Sequence, residues 1–404
     1  MQMQRNNRLP LAGVRVVEFT HMVMGPTCGM ILADLGADVI KVEPVKGDKT
    51  RKLPGLGAGF FRTFNRGKRS VALDIATPEG LEVARQLVVR ADVVSENFKP
   101  GKMDDMGLGY EALRKDNPRL IYVSHKGFLP GPYDNRTALD EVVQMMGGLA
   151  YMTGPPGRPL RAGTSVNDIM GGMWGVIGVL SALIEREHTG EGQYIQSALF
   201  ENCAFLSAQH MQQFAVTGDP PSPMPVRKTA YAVYDTFQTS DHKPLFIGAV
   251  SDGQWQALCK VLDLPELLAD PALSTNAERV AARGRYMPIL EAAVAQRKFD
   301  DLAQMLERNG LPFAPINRPE ELFEDRHLLA SGGLGRITTE TGEQTLIPVL
   351  PLMLGDRRLG SEGALPAIGN ATTEVLGELG YSGAQIAAMI GNSIVAAQAN
   401  TKAA

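Results

Sequence analysis

Residues 14–19, Val-Arg-Val-Val-Glu-Phe, are followed after a short loop by residues 29–43, Gly-Met-Ile-Leu-Ala-Asp-Leu-Gly-Ala-Asp-Val-Ile-Lys-Val-Glu. The first stretch reads as a short buried strand. The second reads as a helix ending at Gly36 and then a strand over 39–42. Working outward, helical spacing covers 79–90 and a new strand starts over 92–94. Asn117-Pro118 breaks the next helix before a strand over 120–124. Strands alternating with helices predict βαβ units and a parallel sheet. Right-handed crossovers place the connecting loops at the carboxyl ends of the strands, where such folds bind ligands. The expected fold class is α/β, with a Rossmann-like large domain.

Further along, residues 218–225, Gly-Asp-Pro-Pro-Ser-Pro-Met-Pro, carry four prolines in eight positions. Proline fixes φ and removes a backbone donor, so this segment is a linker. Beyond it, 231–239 and 244–250 flank Ser-Asp-His-Lys as a β-hairpin, and helical patterns follow over 252–263, 278–296 and 299–309. The expected organisation is a large domain from 1–217 and 331–404, the linker 218–225, and a smaller α+β domain over 226–330. Segments 374–379 and 384–390 read as closing helices.

The 404 residues hold 40 basic and 44 acidic side chains, a net charge of −4, which argues against a general nucleic-acid binder. Apolar residues at 44% and charged residues at 21% exclude wholesale disorder. Three dispersed cysteines (Cys28, Cys203, Cys259) predict no disulfide framework and a reducing cytoplasm. These and the six histidines show no metal-ligand spacing, so neither a metal nor a permanently bound cofactor is expected. The first residues lack the apolar run of a signal peptide. The greasiest stretch, 171–184, is shorter than the roughly 20 residues that span a bilayer, so no membrane partner is expected.

Two segments carry candidate chemistry. Within 65–74, Asn-Arg-Gly-Lys-Arg-Ser-Val-Ala-Leu-Asp, the cations Arg66, Lys68 and Arg69 lead into a strand. This is either a solvated basic turn or a phosphate site, to which Arg51 could add. Asp168 lies in Gly163-Thr-Ser-Val-Asn-Asp-Ile-Met-Gly-Gly-Met-Trp174, just before apolar residues at helical spacing. It reads either as an N-cap or as a nucleophile. The helix terminus would lower its pKa, and Gly171 and Gly172 would let a ligand approach the backbone.

Taken together, these stretches resemble the family III CoA-transferases, the group of formyl-CoA transferase and carnitine CoA-transferase. The resemblance runs through 11–19, Gly25-Pro26, 32–43, 65–74, Glu96-Asn-Phe98 and Pro100-Gly101. It continues through Asn117-Pro-Arg119, Asp168 with the helix behind it, 189–193 and 373–381, in order along nearly the whole chain. It implies an interlocked-ring homodimer, acyl-CoA and a small carboxylic acid as substrates, and Asp168 as the catalytic residue. Val23 and Met24 would lie beside the thioester, Leu73, Asn97, Phe98 and Lys99 along CoA, and His21 near the nucleotide loop. Asp140 is a further candidate near the carboxylates.

This sequence departs from formyl-CoA transferase at two places. A run of consecutive glycines is missing from 246–253, and a CoA-contacting arginine is replaced by Asp105, which shifts phosphate contacts toward Lys102 or Arg69. The related α-methylacyl-CoA racemases pair their aspartate with a histidine where this chain has Leu139, which cannot carry a proton. Transfer is therefore expected over racemisation or over a non-catalytic acyl-CoA-binding role. Succinyl-CoA is a common donor among relatives, and Arg161, Arg227 and Lys228 are cations that could meet a distal carboxylate.

Overall fold

The computed structural model describes residues 9–227, 229–360 and 362–398. These form two compact units. One comprises the described residues up to Pro225 together with those from Arg326 onward, and the other is Val226–Asp325.

In the larger unit, the apolar runs become β1 (Arg15–Phe19), β2 (Asp38–Glu43), β3 (Arg69–Leu73), β4 (Val93–Glu96), β5 (Ile121–Lys126), β6 (Tyr194–Ala198) and β7 (Val395–Ala396). They lie in the order β7-β3-β2-β1-β4-β5-β6. Every pair is parallel except β7 with β3. The order reverses between β1 and β4, the switch point at which doubly wound sheets bind ligands.

Alternation along the strands divides the core between two faces. Val16, Val39, Val93, Ile121 and Val123 face α1 (Met24–Asp34) and the later, longer helix Val166–Thr189. Val17, Ile40, Val71, Val94 and Tyr122 face the opposite layer, which includes α2 (Pro78–Val89) and the C-terminal helices Thr372–Leu379 and Gly383–Gly391. The first helix begins earlier than its apolar run suggests and ends with Leu35 and a left-handed Gly36 at φ +103°. Next come α3 (Asp140–Met146), α4 (Val166–Thr189) and α5 (Leu199–Thr217). By length and composition alone α4 suffices to cross a membrane, a property the 171–184 run understates. One side of it packs on the sheet.

That packing explains the glycines of α4. A Cβ at Gly172 would lie 2.6 Å from the Met24 carbonyl oxygen, and one at Gly175 2.7 Å from the His125 ring. One at Gly171 would meet the Met24 side chain at 2.5 Å. The expectation that Gly171 and Gly172 leave room for a ligand is corrected: they leave room for α1.

The smaller unit is an antiparallel sheet of Val233–Gln238, Pro244–Ala249 and Phe313–Pro315. The hairpin pairs Val233 with Ala249 and Gln238 with Pro244. Its helices include Asp252–Leu262 and Phe299–Arg308. The single helix expected over 278–296 is two, Asn276–Ala281 and Arg283–Ala295. Ala282, at φ −89° and ψ 8°, closes the first and leads into the second.

Packing and propensity can be separated with one kind of substitution. Gly377 lies in a C-terminal helix with open space around it. Gly377→Ala should stabilise by up to about 1 kcal/mol through propensity. Gly172→Ala meets backbone, and overpacking should produce a net loss of about 1–3 kcal/mol. Urea unfolding of both variants checks the opposite signs.

Candidate active site

Asp168 is the third residue of α4, and Ser165 at the N-cap position makes no side-chain cap. The cap comes from α3. Asp140 Oδ1 accepts the N–H groups of Asn167 at 2.8 Å and Asp168 at 3.1 Å. Its Oδ2 accepts from Gln144 Nε2 at 2.5 Å and faces Arg161 Nη2 at 3.4 Å. Gln144 in turn accepts from the Ala162 N–H at 2.8 Å. On the other side, Asn202 donates to the Asn167 carbonyl at 3.1 Å and accepts from Trp174 Nε1 at 3.0 Å.

The backbone at Asp168 is thus held from two directions. Its own carboxylate has no hydrogen bond or ion pair among the described residues. The N-cap expectation is corrected, because the helix starts two residues earlier and Asp140 caps it. The expected depression of the Asp168 pKa is corrected as well. Burial, and then the Asp140 charge, push it up to about 7, with Arg161 opposing. The first-turn N–H groups that would have lowered it are spent on Asp140. Leu139, just before α3, is exposed.

The β1–α1 turn and the end of β4 meet at the switch point. Asn97 and His21 exchange hydrogen bonds, with the His21 N–H donating at 3.1 Å and Asn97 Nδ2 donating to the His21 carbonyl at 2.8 Å. The His21 and Phe98 rings lie 6.3 Å apart. Met22 has φ 63°, which turns the chain into α1. Val23 and Met24 are buried, and at the start of α1 the N–H groups of Met24 and Gly25 meet no acceptor among the described residues. Met24 reaches the first turns of α4 at Gly171, which links this turn to the Asp168 helix.

Leu73 is buried at the end of β3. Lys99 is exposed and lines a cavity of about 230 Å³ with Glu96, Asp104, Tyr110 and Tyr122. Burial raises the Glu96 carboxyl, which accepts from the Phe98 N–H and from Ser124 Oγ. Lys102 and Asp105, both exposed, bracket a single turn of helix.

The phosphate reading of the basic turn is corrected. Arg66 is buried and holds Asp34 at 2.5 Å. Arg69 pairs with Asp38 at 3.0 Å and Glu378 at 2.5 Å. Arg51 forks onto Glu43 at 2.6 and 2.9 Å and lies 3.7 Å over the Phe61 ring. Each guanidinium is already matched by protein carboxylates.

Sequence reasoning missed a buried charge cluster beneath this turn. Lys41 Nζ donates to the Thr20 carbonyl at 2.6 Å and pairs with Asp48 at 3.0 Å. Lys68 Nζ donates to Glu18 at 2.7 Å and to the Pro26 carbonyl at 3.0 Å. Burial lowers the Lys68 pKa to about 8. The available signal was a glutamate and a lysine inside otherwise apolar strands. Gln144, four residues after Asp140, was legible only as a shared helix face.

A model of CoA-transferase family III matches residues 11–372. The chain belongs to this family. It is 37% identical over 389 residues to the succinate–glutarate CoA-transferase of Agrobacterium fabrum, covering 93% of this chain and 96% of that one. It is 33% identical over 386 residues to the succinyl-CoA:mesaconate CoA-transferase of Haloarcula hispanica, covering 92% and 96%. Among solved structures, a CaiB/BaiF family protein from Brucella suis superposes with a TM-score of 0.81 at 38% identity, over 92% of this chain and 100% of that one. The chain is an enzyme of the CoA-transferase type.

The raised Asp168 pKa has a stability consequence. Between the unfolded value near 3.8 and the folded value of about 7, the folded state holds the proton more tightly. Stability from this group therefore falls as pH rises through that window and levels off above it. Asparagine carries no such penalty. Asp168→Asn should be more stable than wild type at pH 8, with the advantage shrinking toward pH 4, as read by urea midpoints across the range.

Proposed function

We propose that this enzyme moves CoA from an acyl-CoA to a carboxylic acid, with a dicarboxylic acid on at least one side, through covalent intermediates on Asp168. The unpartnered, half-buried Asp168 carboxylate on a rigidly held helix turn carries the reading. The relatives named for succinate, glutarate and mesaconate support the substrate class.

Asp168 attacks the donor thioester carbonyl, breaking the C–S bond to give a mixed anhydride and CoA thiolate. The thiolate attacks the aspartyl carbonyl, forming an aspartyl-CoA thioester and releasing the donor carboxylate. The acceptor carboxylate attacks this thioester to give a second anhydride and expels the thiolate. Attack of the thiolate on the acceptor carbonyl completes the new acyl-CoA and restores the Asp168 carboxylate. Desolvation raises both its basicity and its nucleophilicity. The uncapped N–H groups at the start of α1 are suited to the tetrahedral oxyanions. Asp140 holds the turn without competing for the reaction. CoA would lie along His21, Val23, Met24, Leu73, Asn97, Phe98 and Lys99. Its phosphates would meet Lys99 and Lys102, whose ammonium groups have no ion pair among the described residues.

For assembly, we propose a homodimer of interlocked subunits working in the cytoplasm. Met173, Trp174 and Ile177 on α4 and Phe205, Met211 and Phe214 on α5 expose an apolar surface that a second copy would cover. Light scattering at nanomolar concentration should give a dimer that dilution does not separate, and a folded monomer would refute it.

The catalytic reading is tested by Asp168→Asn. Transfer should fall by more than about a thousandfold, roughly 4 kcal/mol, while CoA binding persists. Hydroxylamine added to wild type with acyl-CoA should mark Asp168 alone by mass spectrometry. Because the nucleophile must be ionised, kcat/KM should rise with pH through about 7 and flatten above it. Residual activity above a tenth would refute the covalent route.

A further inference from the structure

Four arginines of the large unit differ in how they are used. Arg51, Arg66 and Arg69 each hold carboxylates at 2.5–3.0 Å. Arg161, in the loop before α4, does not. Its Nη2 stands 3.4 Å from Asp140 and 3.5 Å from Ser165 Oγ, its Nη1 3.5 Å from Glu141, and its Nε 3.3 Å from the Ala162 carbonyl. All four contacts are long for a guanidinium, and the side chain is 29% exposed. Asp140 does not need it, since two backbone N–H groups and Gln144 already occupy its oxygens.

The surroundings make this loose cation informative. Asp140 and Glu141 stand 3.4 and 3.5 Å from this guanidinium, and its charge also acts on Asp168. A substrate with a second carboxylate adds another negative charge to that cluster, which is unfavourable unless a cation takes it. A planar fork whose present contacts are all long suits a carboxylate better than a point charge does. Of the other cations that could meet a distal carboxylate, Arg227 lies in the smaller unit and donates to the Tyr234 carbonyl at 3.3 Å, and Lys228 is outside the described residues.

We infer that Arg161 is the specificity residue that grips the distal carboxylate of a dicarboxylic acyl-CoA or acid while Asp168 engages the other end. The inference rests on the proposed transfer reaction for its substrate class, but its test does not depend on turnover. The proximal carbonyl sits at Asp168, and the distal carboxylate replaces the long Arg161 contacts to Asp140 and Glu141 with a two-point one. A monocarboxylic chain of equal length gains nothing from that exchange.

The experiment compares succinyl-CoA with butyryl-CoA by calorimetry on Asp168→Asn protein, alone and with Arg161→Gln or Arg161→Lys. The parent should favour succinyl-CoA. Arg161→Gln should reduce the succinyl-to-butyryl affinity ratio on the order of 10- to 100-fold, and Arg161→Lys should reduce it less. A parent without the preference, an unchanged ratio, or equal weakening of both ligands would overturn the inference, the last leaving Arg161 as a brace for Asp140. Should Arg161→Gln fail to fold, the ratio in Arg161→Lys decides. Transfer surviving in Asp168→Asn would refute the covalent route while leaving this ratio, and so the role of Arg161, to be judged separately.

Discussion

The close approach of α1 and α4 is the constraint on which the rest of the large unit depends. Gly171 and Gly172 remove the side chains that would otherwise hold the helices apart, so Met24 fills the seam, while Gly175 makes room for the His125 ring of β5. A displacement of even a methyl group is felt in an interior packed this densely. The consequence is functional as well as structural. The seam fixes the β1–α1 turn, which carries His21 to Met24, against the first turns of the helix that carries Asp168.

Two polar devices complete that arrangement. Asp140 spends its carboxylate on the backbone of Asn167 and Asp168, so the helix terminus is satisfied without consuming the Asp168 side chain. A carboxylate left unpaired in a half-buried site is costly, and the raised pKa expresses that cost. In the buried charge cluster, Lys41 and Lys68 reach the carbonyls of Thr20 and Pro26 on either side of the β1–α1 turn. Buried lysines are expensive unless paired, and Glu18 and Asp48 supply the pairing. The candidate site is therefore set on a stiff platform with the Asp168 carboxylate left free.

The basic turn at 66–69 shows how proximity in sequence can mislead. Three cations in four positions suggest an anion site, yet Asp34, Glu18 and Asp38 neutralise Arg66, Lys68 and Arg69 in turn. Those acids come from β1, α1 and β2, each about 30 to 50 residues away in the chain. Arg161 has the opposite history, being a cation that the fold sets beside Asp140 and Glu141 without a close partner. Charge counted along a chain says little about charge that remains available in space.

The sequence by itself determined the strand and helix alternation, the parallel sheet and the family, because periodicity and local motifs are properties of neighbouring residues. It also singled out Asp168, through its place in a matched stretch. What the fold decided lies between segments far apart in the chain. Whether Asp168 caps its helix depended on Asp140, 28 residues earlier. Whether the α4 glycines served a ligand or a helix depended on Met24 and His125. The pKa of Asp168 followed from both, since desolvation and neighbouring charge exist only once the chain has folded around the group.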